Sequence, residues 1–227
     1  MADYPTWDAA HTRYVLGPQM IPSQESWGKY RDQTINPTYE FAYWHWALET
    51  AQQWRTRLGL KRDLKWDDVL THLSQPTVRD GHYAAVEKPV LDLTDDHPTV
   101  LAALGMVPAT PLIDPALMRA TLHTVLNQWD WPSTWGWDYP MIAMTATRLG
   151  EPDTALSALL MDTPKNTYLP NGHNYQEPRL PLYLPGNGAL LTALALMTAG
   201  WDHSAKTPGF PKHGQWKVRV EGVLPLP

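Results

Sequence analysis

The chain has 227 residues, of which 18% are charged, and its formal net charge is −5. This length is enough to bury a core within one domain. The small net negative charge does not indicate nucleic acid or an anionic membrane as a binding partner. The absence of cysteine excludes disulfides and thiol catalysis. No transmembrane-length apolar run or signal-peptide-like start occurs, and no compartment is indicated.

The helical pattern begins at Asn36-Pro37, where a plausible N-cap precedes a proline that fits the first turn. This long aromatic helix is predicted to run to about residue 58 and to stop at Gly59. Similar patterns, several opened by proline, predict further helices at about 66–74, 97–104, 114–128, 138–150, 152–160 and 188–199.

The helix predicted at 188–199 is apolar nearly all round, so we expect it to be fully buried. Residues 162–187 lack a helical period and form a long loop, which is typical of a functional segment. Alternating residues at 216–222 predict a strand, and two short pieces, 81–83 and 91–93, are expected to pair. Seven predicted helices in sequence suggest helical hairpins that are arranged as an α/α toroid. The expected fold class is therefore all-α, with small β pieces.

Two glutamates lie on separate loops that proline and glycine shape. Glu25 ends the segment 17–25, just before the first long helix, and Glu177 lies in the polar cluster 171–179. Most glycoside hydrolases need two carboxyl groups, one on each side of the glycosidic bond that is cleaved. The alternatives are a surface glutamate at position 25 and a salt bridge between Glu177 and Arg179. The sequence therefore offers Glu25 as a general acid and Glu177 as a general base.

Aromatic and polar side chains around these loops are candidates for holding a sugar. Trp and Tyr number 12 and 10 against 2 Phe, and such amphipathic rings suit wet clefts as well as cores. Asp138 stands where the N-cap of its helix is expected, and capping or another structural role is the stronger explanation for it. No metal-type histidine spacing occurs, so neither a metal nor a cofactor is expected. The candidate substrate-binding residues are Trp27, Trp44, His45, Trp135, Trp137, Asp138, His173, Asn174 and Arg179.

The segments 14–18 and 24–25, followed by Asn36-Pro37-Thr38-Tyr39-Glu40, resemble the catalytic segment of glycoside hydrolase family 65 relatives. In that family a Gly-Pro-Asp-Glu-Tyr motif precedes an Asn-bearing inner helix, and its glutamate is the general acid. Glu25 matches that position, although Gln-Met-Ile-Pro-Ser-Gln stands before it here. The segments 135–141 and 184–188 are similar to bacterial six-hairpin glycosidase-like proteins.

The resemblance implies an (α/α)6 barrel, of which residues 1–213 are the C-terminal portion and 214–227 an extended tail. It also implies that the base lies on the loop before the last inner helix, where Glu177 is found, whereas phosphorylases carry a phosphate-binding loop there. The expected partners are a carbohydrate substrate and either a missing N-terminal barrel segment, a second subunit or another copy of the chain.

These observations predict an inverting glycoside hydrolase, or the C-terminal half of one. Two alternatives are left open. One is a non-catalytic carbohydrate-binding or scaffolding half-barrel that needs a partner. The other is a glycoside phosphorylase, for which Gly186-Asn187-Gly188 is the candidate anion-binding nest.

Overall fold

The structure is a computed structural model that describes residues 1–214 and 216–226. It is mostly helical, with 43% of residues in helices, and the strands form small two-stranded sheets. The expected all-α class is therefore correct at this level. The predicted tail, 214–227, includes Gln215 and Pro227, which lie outside the described residues.

The N-terminal third consists of a hairpin followed by two helices. Strands β1 (Thr6–Asp8) and β2 (Arg13–Val15) pair antiparallel, and a 3-10 helix follows at Glu25–Tyr30. Helix α1 spans Thr38–Arg57, close to its predicted bounds, and helix α2 spans Leu64–His72.

A short hairpin and a short helix lead to the centre of the molecule. Strand β3 (Val78–Arg79) pairs with β4 (His82–Tyr83), so the expectation that 81–83 pairs with 91–93 is wrong. The tight turn at Asp80-Gly81, where both residues have positive φ, joins these strands directly and leaves 91–93 outside the ladder. Helix α3 (Ala102–Gly105) follows a 3-10 turn.

Three helices with a proline among their first three residues form the core of the C-terminal half. Helix α4 spans Pro115–Gln128, and Asp114 caps it by accepting hydrogen bonds from the second and third backbone amides of its first turn. Helix α5 spans Asp138–Arg148 and helix α6 spans Pro152–Leu159. Residues 138–147 are buried without exception, and α5 packs against α3, α4, α6 and α7 (Leu184–Ala199).

Helix α7 differs from expectation in its burial and its start. It begins at Leu184, earlier than predicted. Residues 186–188, the candidate anion-binding nest, therefore lie inside the helix and not before it. Leu184 and Leu191 are 67% and 69% exposed, so the prediction of full burial is wrong. The buried side of α7 packs on α5, whereas no described element covers the opposite side.

The segment before α7 contains ordered structure. Strands β5 (Thr167–Tyr168) and β6 (Asn174–Tyr175) form a third hairpin within the predicted loop. The strand predicted at 216–222 is wrong, since no strand forms among described residues 216–226 and only Leu226 makes an isolated bridge, to Trp201. No helix in the described part of the chain is long and apolar enough to cross a membrane.

Candidate functional site

A buried ion pair lies at the start of helix α5. Asp138 is fully buried, and its two carboxylate oxygens lie 2.9 and 3.1 Å from Nδ1 of His97. The backbone N–H of Trp135 donates to the same carboxylate at 2.8 Å. The interpretation of Asp138 as an N-cap is wrong, because Trp137 occupies that position and the Asp138 side chain points back to Trp135 and His97. Asp138 can therefore act on a ligand only through His97.

His97 connects this pair to the surface. Its ring packs against Trp137 with centroids 4.4 Å apart, and its Nε2 lies 3.5 Å from a carboxylate oxygen of Asp96. Burial lowers the pKa of His97, but the hydrogen bond and charge of Asp138, with the charges of Asp96 and Glu25, outweigh it and raise the pKa above its ordinary value. Burial also raises the pKa of Asp138, and the hydrogen bond and charge of His97 offset that effect only in part.

Glu25 begins the 3-10 helix and is exposed to solvent. The next residue fixes its position, because the backbone N–H of Ser26 donates to a carboxylate oxygen of Asp96 at 2.9 Å. The backbone N–H of Asp96 in turn donates to the hydroxyl of Ser133 at 2.8 Å. Asp96, whose carboxylate lies 3.5 Å from Nε2 of His97, therefore links the Glu25 turn to the imidazole.

Glu40 is a second carboxyl group on the Glu25 side of the fold. Both side chains line an open pocket of about 590 Å³, together with the chain around Ser23. One Glu40 oxygen, Oε1, accepts the backbone N–H of Ser23 at 2.9 Å and its hydroxyl at 3.3 Å. Burial raises the pKa of Glu40, and these hydrogen bonds offset only part of that effect. Sequence reasoning passed over Glu40 as a site residue, although it lies in the first turn of the helix after Asn36-Pro37.

The loop that carries Glu177 is attached to the tryptophan segment. Gln176 accepts the backbone N–H of Gly136 at 3.0 Å, and Tyr183 packs on Trp135 with ring centroids 5.5 Å apart. Burial, with the charges of Asp138, Glu25 and Asp96, raises the pKa of Tyr183 to about 12. These contacts bring the last part of the loop to the Trp135–Asp138 segment.

Glu177 itself occupies a tight turn. The backbone N–H of Leu180 donates to the Glu177 carbonyl at 2.9 Å, and the Glu177 carboxylate forms an ion pair with the exposed guanidinium of Arg179. The pocket that Glu25 and Glu40 line does not include Glu177. The Glu25 turn therefore approaches the Trp135–Asp138 segment through Asp96 and His97, and the Glu177 loop approaches it through Gln176. Glu40 is the carboxyl that shares a pocket with Glu25.

Three of the aromatic candidates lie apart from the His97 pair. Trp27 is fully buried under the Glu25 turn, where its Nε1 donates to Gln24 at 3.1 Å, so it does not enclose the exposed Glu25 carboxyl. Trp44 packs beside Tyr4, with centroids 5.6 Å apart. His45, the next residue of α1, is half-buried, and this burial lowers its pKa.

The polar candidates of the 171–179 cluster differ in burial. Asn174 is fully buried, and its Nδ2 donates to the carbonyl of Thr167 at 3.2 Å, so it holds the β5–β6 hairpin together. His173 is partly buried, and its backbone N–H donates to Asn171 at 3.1 Å. Of the predicted binding residues, the structure therefore brings together Trp135, Trp137, Asp138 and Asn174, whose Oδ1 packs against Gly136.

His97, Asp96 and Tyr183 are the members of this cluster that sequence reasoning missed. The run Asp95-Asp96-His97-Pro98 was the available signal, since a histidine between acidic residues and a proline is an unusual local charge arrangement. Its pairing with Asp138, 41 residues away, follows from packing and has no local sequence pattern.

No protein-family model matches this chain, and no curated protein matches it significantly.

Proposed function

We propose that the chain is a glycoside hydrolase, or a portion of one, with its sugar site beside the Trp135–Asp138 segment. One observation carries the proposal: two loops with acidic side chains meet at this segment. Ser26, next to Glu25, donates its backbone N–H to Asp96, whose carboxylate lies 3.5 Å from Nε2 of His97, the partner of Asp138. Gln176, next to Glu177, accepts the Gly136 N–H. Glycoside cleavage requires two carboxyl groups that flank the bond, and the aromatic rings offer apolar faces to the sugar.

In the proposed reaction, Glu25 protonates the leaving glycosidic oxygen. Its exposure lets a substrate oxygen approach the carboxyl directly, and the hydrogen bond from Ser26 to Asp96 fixes the turn that carries it. Trp135, Trp137 and Tyr183 are the rings against which the sugar lies. Asp138 is a positioning residue, because it reaches the site only through His97.

The second carboxylate activates the attacking water. We propose Glu177 for this step, which requires its release from Arg179 and a separation of about 6.5–9.5 Å between the two carboxyl groups, as inversion demands. Glu40 is the other candidate, because it shares the pocket with Glu25. The two assignments differ in which Glu→Gln substitution abolishes turnover.

We also propose that the helices belong to an (α/α)6 toroid. The arrangement of α5 supports this, since it is buried along its whole length among neighbouring helices, as an inner helix of such a ring is. The exposed apolar side of α7 is consistent with a ring that further helices complete.

A glycoside screen followed by proton NMR tests this proposal. We expect cleavage without phosphate, with the first product of inverted anomeric configuration. Glu25→Gln should lower the rate by a factor of about 10²–10⁴, whereas Glu221→Gln, on the exposed tail, should leave it unchanged. Loss of turnover in Glu40→Gln but not in Glu177→Gln would transfer the base role to Glu40. Strict phosphate dependence would favour phosphorolysis.

A second candidate function is a carbohydrate-binding or scaffolding part that assembles with a partner. The observation that favours it is the exposed side of α7, where Leu184, Leu191 and Leu194 face solvent in a helix without any charged residue. Light scattering of the wild-type chain and of Leu191→Lys tests it. Assembly of the wild type that is lost in Leu191→Lys, together with sugar binding but no turnover, would favour this function.

A further inference from the structure

A separate cavity of about 300 Å³ lies between the β3–β4 turn, residues 92–94 and helix α4. None of its lining residues belongs to the pocket of Glu25 and Glu40. Its volume is at the lower end of the range for small-molecule sites, so it fits a ligand of about one sugar ring.

The inner wall of this cavity is apolar. Val100, Val125 and Trp129 line it, and all three are buried. Trp129 is held in place because its Nε1 donates to the carbonyl of Asp96 at 2.8 Å. Since that indole N–H is already used, Trp129 can offer a ligand only apolar contact, which suits the C–H surface of a ring.

The rim carries neutral hydrogen-bonding groups. The side chains of Thr94, Thr124 and Gln128 line the cavity and form no hydrogen bond with other residues in the part of the chain that the structure describes. Two hydroxyls and one amide supply both donors and acceptors. A ligand with several hydroxyl groups could donate hydrogen bonds to these side chains and accept hydrogen bonds from them.

The charged groups of the cavity narrow the ligand class further. Asp80 and Asp92 line it, and Asp92 pairs with Arg79, its carboxylate oxygen 2.9 Å from the guanidinium. No lysine or arginine is among the lining residues. An anionic ligand would therefore meet the carboxylate of Asp80, which forms no ion pair among the described residues, whereas a neutral ligand can donate a hydroxyl hydrogen bond to it.

We propose that this cavity is an accessory binding site for a neutral monosaccharide-sized polyol. The ring lies against Trp129 and Val125, and the hydroxyl groups bond to Thr124, Gln128 and Asp80. The site does not depend on Glu25 being catalytic, because its lining residues are different.

The cavity nevertheless borders the segment that holds the Glu25 turn. Thr94 lines it and accepts the backbone N–H of Asp130 at 2.8 Å, while Asp96, two residues later, accepts the Ser26 N–H. A ligand that orders residues 92–96 therefore also orders the turn that begins at Glu25.

Fluorine NMR of protein labelled with 5-fluorotryptophan provides the test. The Trp129 signal is assigned by its loss in Trp129→Phe, and D-glucose, D-mannose and D-galactose are titrated in turn. At least one of them should shift the Trp129 signal with a dissociation constant of about 1 mM. D-glucuronate, which adds a negative charge, should bind at least about tenfold more weakly than that sugar.

Substitutions in α4 supply a test variant and its matched control. Thr124→Val combined with Gln128→Ala should weaken the response at Trp129 about tenfold, whereas Asn127→Ala, on the same helix but outside the cavity, should leave it unchanged. A Trp129 signal unmoved by all three sugars would overturn the proposal. Shifts confined to Trp135 and Trp137 would also overturn it, while leaving the proposed hydrolase site intact.

Discussion

Replacing Asp138 by asparagine removes the carboxylate that raises the pKa of His97. The two side chains are buried, and the carboxylate oxygens lie 2.9 and 3.1 Å from the imidazole nitrogen. A hydrogen bond to a charged partner contributes about 1.5–3 kcal/mol. Asp138→Asn should therefore lower the pKa of His97 and cost about 1.5–3 kcal/mol of unfolding free energy.

The stability change has a defined pH dependence. Because the folded pKa of His97 is raised, the stabilisation is fully present below the unfolded value of about 6.5 and is lost as the pH rises through the folded pKa. The loss of unfolding free energy in Asp138→Asn should accordingly be largest near pH 6, where it is on the order of the cost given for the lost hydrogen bond. The loss should be smaller in alkaline solution.

Proton NMR titration of the histidine ring signals, with His97 assigned by His97→Gln, measures the pKa, and urea unfolding measures the stability. Asp68→Asn is the matched control, because Asp68 and His72 form a pair of the same length, 3.0 Å, on the exposed face of α2. It should cost only about 0–1 kcal/mol. A His97 pKa that stays the same or rises in Asp138→Asn would refute the reasoning.

Two further predictions concern stability. Gly136→Ala would put a methyl group 1.8 Å from Oδ1 of Asn174 and should destabilise the fold by about 1–3 kcal/mol, whereas Gly188→Ala, in open space within α7, should stabilise it by about 0.5–1 kcal/mol. Thermal unfolding checks both, and equal effects would contradict the tight fit at Gly136. Because burial raises the pKa of Glu40, its contribution to stability is present below about pH 4.5 and lost as the pH rises. Glutamine stays neutral, so the unfolding free energy of Glu40→Gln minus that of the wild type should increase as the pH rises from acidic to neutral. Urea unfolding at several pH values measures this difference, and a difference that does not change with pH would contradict the prediction.

Local sequence signals predicted the helices well. The Asp114 cap and the prolines at positions 37, 115 and 152 act within one turn, so the helices that follow them could be located from the sequence. The predicted cap at Asn36 is wrong, because Pro37 occupies that position and the Asn36 side chain accepts the Leu16 N–H instead. Burial could not be predicted in this way. Helix α7 is apolar on every side, but which side is covered depends on neighbouring elements, and α5 covers only one.

The candidate site was predictable only in part. Glu25, Trp135 and Trp137 stand out because carboxylates and aromatic rings on short loops are visible in the sequence. The pairing of His97 with Asp138 joins residues far apart in the chain, and the shared pocket of Glu25 and Glu40 depends on how the 17–25 segment folds over α1. Such juxtapositions arise from packing, for which the sequence has no local pattern.

The rate of glycoside cleavage by wild-type protein and by Glu25→Gln, read by proton NMR of the anomeric signals, tests the central claim most directly. The account predicts that the wild type releases a sugar of inverted configuration without phosphate and that Glu25→Gln is slower by a factor of about 10²–10⁴. Undiminished cleavage by Glu25→Gln, or binding of glycosides by the wild type without any cleavage, would contradict it.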